Sequence, residues 1–204
     1  MRLPAALVLA AVLSTTAIAR ADEGDVVIQA GHQGRPASCA PMHVKACNLG
    51  TSGGGALERD WTPIVADEAA RMLREAGLHV IRRPADYAEH DTARAAIFIH
   101  FDGNETPCGS GASIGFPDGD GSRSFATSWR RDYARWFPYR FMPDNFTENE
   151  HQYYGFRKVD APAKMLVELG EMTCPEQFAW MAPRLRQIGD RLAQYVLGAL
   201  PPAR

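Results

Sequence analysis

The chain carries no excess of positive charge: 22 lysines and arginines stand against 24 aspartates and glutamates, a formal net charge of −2. Binding to nucleic-acid phosphates relies on a basic stripe that displaces counterions, and none is present, so no nucleic-acid partner is expected. Beyond the first two dozen residues no apolar run approaches the roughly 20 residues that cross a bilayer. No Cys-x-x-Cys pair occurs, which argues against a cysteine-held zinc. No low-complexity linker or internal repeat divides the sequence, so a multi-domain array is not expected.

What is present begins at the amino terminus. Arg2 precedes an apolar run from Leu3 to Leu13 with no acidic residue, and Ala17-Ile18-Ala19 or Ala19-Arg20-Ala21 offers a small-x-small cleavage site. This pattern predicts a secretory signal peptide over residues 1–21, with an uncleaved anchor as the alternative. Loss of Arg2 and Arg20 would take the formal charge from −2 to −4. The mature protein is expected to be periplasmic or secreted. Residues 22–204 are expected to form a single domain, long enough for a sizeable core.

Strand and helix signals alternate through the rest. An apolar run over residues 25–30 predicts a buried strand, and Gly31 lets the chain turn out of it. Residues 32–55 are rich in Gly, Ser, Pro and Cys without periodicity, as in a functional loop. Trp61, Ile64, Val65, Ala69, Met72, Leu73 and Ala76 recur at helical spacing up to Gly77, with Glu58 at the first turn. A strand over 78–82 follows, making a crossover unit with parallel strands. A short helix over 88–95, a strand over 96–101, a loop over 103–120, a helix over 124–137, a strand over 164–169 and a terminal helix over 181–200 complete the expectation. The aromatics Trp129, Tyr133, Trp136 and Phe137 are expected to pack in the core, Tyr153-Tyr154 to line a groove, and the pairs Arg82-Arg83 and Arg130-Arg131 to form solvated faces. The fold class is α/β, with a mainly parallel sheet and helices on both faces.

In such sheets ligands gather beyond the carboxyl ends of the strands. His32 follows the first strand, His100 closes the third, Glu168 lies in the fourth and Glu58 opens the helix leaving the same edge. Two imidazoles and a carboxylate suit a catalytic zinc ion with an open position, and a further carboxylate suits its proton carrier. The same ligand types also suit iron and other divalent ions, and each residue alone also fits a satisfied structural role. Cys39, Cys47, Cys108 and Cys174 form an even set in an exported chain, so disulfides are expected. The preferred pairs are Cys39–Cys47, closing a small loop, and Cys108–Cys174, both members of which follow strands ending near this site.

Ile28-Gln29-Ala30-Gly31-His32-Gln33-Gly34, then Glu58-Arg59-Asp60-Trp61, then Ile97-Phe98-Ile99-His100, then Leu166-Val167-Glu168-Leu169-Gly170 resemble, in order, the motifs of zinc-dependent N-acetylmuramoyl-L-alanine amidases. The resemblance is to the type whose catalytic domain has a phosphorylase/hydrolase-like α/β fold. It implies Zn2+ held by His32, Glu58 and His100, with Glu168 as the catalytic glutamate. It implies cleavage of the amide between the lactyl group of N-acetylmuramic acid and L-alanine, in peptidoglycan or muropeptides. Gln33, Trp61, Phe101-Asp102-Gly103 and Glu171 depart from the family pattern. Some members carry a long inserted helix displaced by a protein activator; residues 102–164 leave no obvious room for one, so an enzyme without autoinhibition is expected. No separate wall-binding domain is expected, which would leave targeting to the catalytic domain or a partner. The rival expectations are a zinc hydrolase of another amide or peptide and a non-catalytic peptidoglycan-binding protein.

Overall fold

In the computed structural model, which describes residues 22–35 and 48–201, the first apolar run folds as strand β1 (Val26–Ala30), buried along its whole length. A small hairpin of β2 (Ser52–Gly53) and β3 (Ala56–Leu57) leads into α1 (Glu58–Glu75). There follow β4 (Val80–Arg83), β5 (Asp91–Thr92), β6 (Ala95–Asp102), β7 (Ser113–Gly115), α2 (Asp120–Tyr133), α3 (Glu148–His151), β8 (Val159–Asp160) and β9 (Ala163–Glu171). The chain closes with α4 (Pro175–Met181) and α5 (Leu185–Ala199). The signal segment and the Cys39–Cys47 pair fall outside the described residues.

Five strands form one sheet in the order β4-β1-β6-β9-β7; the first four are parallel and β7 runs antiparallel to β9. Side chains alternate between the faces of a strand. Val26, Ile28, Ile97, Ile99, Met165 and Val167 therefore pack with α1, α2 and α5. Val27, Phe98 and Leu166 face the other way, under Tyr153, Phe156 and Val159 around a short 3₁₀ turn at Tyr154–Arg157. The same alternation places Gln29, His100 and Glu168 on this second face. Phe98 is opposite Gln29 and Glu168 is opposite His100 in the strand register.

Four expectations need correction. No helix forms over residues 88–95, because the buried Asp91 carboxylate binds Arg83 and its backbone pairs with Val159. Arg82 and Arg83 are accordingly not a solvated face; Arg82 binds Asp67, and Arg83 reaches both Asp91 and Asp22. The loop expected over 103–120 contains β7, whose three residues carry no alternation and become a strand only by pairing with β9. The terminal helix is split at Ala182–Arg184, where Pro183 lacks the N–H a continuous helix requires. Helix α2 begins at Asp120 and ends at Tyr133, with acidic and basic residues at the ends that suit its dipole. Trp129, Tyr133 and Phe137 are buried, as core packing requires.

The Cys108–Cys174 disulfide forms and links the loop after β6 to the start of α4. Glu171, one of the departures from the family pattern, is fully buried at the same place. Its Oε1 accepts from the Cys108 N–H at 2.8 Å, and its Oε2 accepts from the Ser110 N–H at 2.7 Å and the Ser110 hydroxyl at 3.0 Å. An apolar side chain would leave these donors unpaired, so carboxylate and disulfide together fix the loop beside the site. The bridge joins cysteines 66 residues apart. Replacing both with alanine is expected to lower unfolding free energy by about 2–4 kcal/mol, read from urea denaturation midpoints.

Candidate metal centre

His32 lies two residues beyond β1 with φ of 59°, a left-handed backbone that costs a non-glycine residue on the order of 1 kcal/mol. Its Nδ1 is 2.8 Å from the Asn48 carbonyl oxygen, which only accepts, so Nδ1 carries the proton and Nε2 keeps a free lone pair. Arg35 Nη1 is 3.1 Å from the same Nδ1, but as a donor it serves the Asn48 carbonyl at 2.9 Å instead. The free Nε2 faces Glu58 Oε2 at 3.5 Å. Burial lowers the pKa of His32, more than the Glu58 carboxylate raises it, which favours the neutral ring a metal requires.

Glu58 is the first residue of α1, where the helix dipole favours negative charge. Its Oε1 accepts from the Phe101 N–H at 3.0 Å and its Oε2 from the Thr51 N–H at 2.9 Å. Burial pushes the Glu58 carboxyl up, but His100, His32 and the Phe101 N–H outweigh it, and the group ionises below the ordinary carboxylate range. Gly50 packs against it with φ of 79°; a Cβ there would fall 2.1 Å from Glu58 Oε2. Only glycine combines that backbone with that approach.

His100 lies inside β6 rather than at its end, with Nδ1 2.9 Å from Glu58 Oε1. The two imidazoles meet edge to face, ring centroids 5.0 Å apart. Gly31 lies flush against the His100 ring, and a Cβ there would be 2.3 Å from Cε1. One ligand atom from each of His32, Glu58 and His100 lies within 4.8 Å of the others. Two imidazole nitrogens and a carboxylate oxygen so grouped fit one divalent ion with room for a further ligand.

Glu168 stands opposite His100 on β9 and opposite Ser113 on β7. Among the described residues its Oε2 is buried with no hydrogen-bond partner. Burial pushes its pKa well above the usual range, and Glu58, Asp102 and Glu150 push it further; a nearby cation acts in the opposite direction. The structure therefore brings all four expected residues to one rim. Sequence reasoning missed the backbone donors from Thr51 and Phe101, and also the role of Tyr153, which is buried against His100 rather than lining an open groove. Two departures from the family pattern turn inward: Trp61 stacks on Phe178, and Gln33 accepts from Arg82 at 2.8 Å.

Burial also raises Glu150, up to about 7, against hydrogen bonds from the Ser113 hydroxyl and the Phe146 N–H. The folded state thus keeps a proton that the unfolded chain releases near about pH 4.3. This contribution is fully present below that value and is lost as pH rises through about 7. Glu150→Gln should reduce the fall in stability between about pH 5 and pH 8, measured by urea denaturation at both.

The sequence matches the family described as N-acetylmuramoyl-L-alanine amidase over residues 26–197. A sequence search of curated proteins returns no match. Among solved structures, the amidase AmiC2 of Nostoc punctiforme aligns with a TM-score of 0.62 at 20% identity, covering 85% of this chain and 94% of that one. Ami1 of Mycobacterium smegmatis, an N-acetylmuramyl-L-alanine amidase, aligns with a TM-score of 0.63 at 18% identity, covering 88% and 98%. The CwlD amidase of Clostridioides difficile, solved in complex with the GerS lipoprotein, gives 0.63 at 13% identity, covering 86% and 98%.

Proposed function

The chain belongs to the N-acetylmuramoyl-L-alanine amidase family, and from that premise we propose an exported zinc amidase that hydrolyses the bond between N-acetylmuramic acid and L-alanine in peptidoglycan or its muropeptides. The observation that carries this reading is the convergence of His32, Glu58 and His100 within 4.8 Å, beside a Glu168 carboxylate whose Oε2 has no hydrogen-bond partner among the described residues. In this reading residues 1–21 are removed on export, residues 22–204 act as one catalytic domain, and the enzyme works in the periplasm or outside the cell. No described helix is long and apolar enough to cross a membrane.

Zinc, held by His32, Glu58 and His100, would supply Lewis-acid polarisation of the amide carbonyl and acidify the attacking water, the property that makes such ions hydrolytic. Glu168 takes a proton from that water at its unpaired Oε2 as the oxygen–carbon bond forms. It returns the proton to the L-alanine nitrogen as the carbon–nitrogen bond breaks, and the second proton of the water follows to the amine, leaving a lactyl carboxylate and an ammonium group. Burial, with the crowding by Glu58, Asp102 and Glu150, raises the proton affinity of Glu168 above that of an exposed glutamate, and a bound cation opposes that rise. The lipoprotein bound to one neighbour supports a protein activator as a candidate partner here.

The experiment is digestion of purified peptidoglycan by the mature protein with mass spectrometry of the products. Stem peptides with new L-alanine amino termini, together with uncut glycan, are expected. Cleavage confined to another amide would replace this substrate, and a protein that binds the polymer and cuts no bond would be a binding module.

A further inference from the structure

The two imidazoles of the cluster are held in opposite senses, and only one is held by backbone. His32 donates through Nδ1 to a carbonyl and offers Nε2. His100 Nδ1 is 2.9 Å from the acceptor Glu58 Oε1, a contact whose hydrogen gives way to a cation when one binds, while its Nε2 is 3.0 Å from the hydroxyl of Tyr153. The direction of that second hydrogen bond follows from groups further along. Gln29 Nε2 is 2.9 Å from the Ala85 carbonyl oxygen, which can only accept, so the amide is oriented with Oε1 facing Tyr153. Tyr153 must donate to that Oε1, at 2.7 Å. Its oxygen is then an acceptor, and His100 Nε2 must carry the hydrogen. Tyr154 closes the chain by accepting from Gln29 Nε2 at 2.9 Å and donating to the same Ala85 carbonyl.

We infer that Tyr153 and Gln29 are positioning residues that fix His100 with its hydrogen on Nε2, so that Nδ1 is presented as the metal ligand. This rests on the metal site proposed above. The pair is out of solvent, with Gln29 0% and Tyr153 4% exposed, so no water competes for these bonds. A buried glutamine in an otherwise apolar strand needs such a function, since β1 is otherwise Val, Val, Ile and Ala. The ring of Tyr153 also packs on Phe98 and Phe156, which is structural. Its hydroxyl is what the inference concerns, and Tyr153→Phe removes that group alone.

The test compares native protein, Tyr153→Phe and Gln29→Met. Zinc affinity is read by competition with a chromophoric chelator, far below each melting temperature. The His100 ring N–H proton of the zinc-loaded protein is read by NMR. Both variants should bind zinc about 10–100-fold more weakly, and Tyr153→Phe should lose the slowly exchanging ring N–H signal. Folded variants with native zinc affinity would overturn the inference and leave the amidase reading standing. Weakened binding with the ring N–H signal unchanged would also overturn it, because packing alone would then explain the loss. A native protein that binds no divalent ion would remove the inference and the metal-site reading together.

Discussion

Gly31→Ala should lower kcat/KM by on the order of a hundredfold and weaken zinc binding, although the added methyl group touches no ion. The methyl would fall 2.3 Å from His100 Cε1, 2.5 Å from Nδ1 and 2.6 Å from Nε2, so the ring must move. It has little space to do so, because Tyr153 holds one edge and Glu58 the other. The backbone at Gly31 also donates to the Ile99 carbonyl and accepts from the Thr62 hydroxyl, which keeps it from retreating. Steady-state kinetics on a muropeptide and chelator competition check the two halves. Native values in both would mean that His100 is not a ligand in the orientation described.

Glu168→Gln should reduce kcat by about 10²–10⁴-fold while the protein keeps its zinc. The substitution preserves shape and removes only the capacity to accept and return a proton. Its effect on stability should have the opposite sign. Burial and three neighbouring carboxylates make the ionised Glu168 costly in the metal-free protein, so the neutral amide should raise the melting temperature of the apo form. Activity falling while apo stability rises is the signature of a strained functional group. Loss of metal along with activity would place Glu168 among the ligands instead.

The sequence made the buried strands and α1 legible because their signals are local: continuous apolar runs for β1, β6 and β9, and helical spacing from Trp61 to Ala76. The four rim residues were legible because each sits at a fixed offset from one of those elements. Strand β7 was not, since Ser113, Ile114 and Gly115 gain strand character only from β9. Residues 88–95 misled because their extended form depends on Arg83, which binds Asp91 from β4. Neither Tyr153 nor the partners of Glu58 could be read from spacing, because they reach the site from a distant segment or through backbone N–H groups. Gln29 did carry a signal: a lone amide in an apolar strand asks for a buried partner. Glu171 carried the same kind of signal, and its partners are the loop donors at Cys108 and Ser110.

The most direct measurement of the central claim is a zinc titration of the chelator-stripped mature protein, following release of L-alanine amino termini from purified peptidoglycan. One site built from His32, Glu58 and His100 requires activity to be absent without metal, to return in proportion to added zinc and to saturate at one equivalent. Cleavage at that bond by the stripped protein, or by a His100→Ala variant that still binds zinc in full, would contradict it.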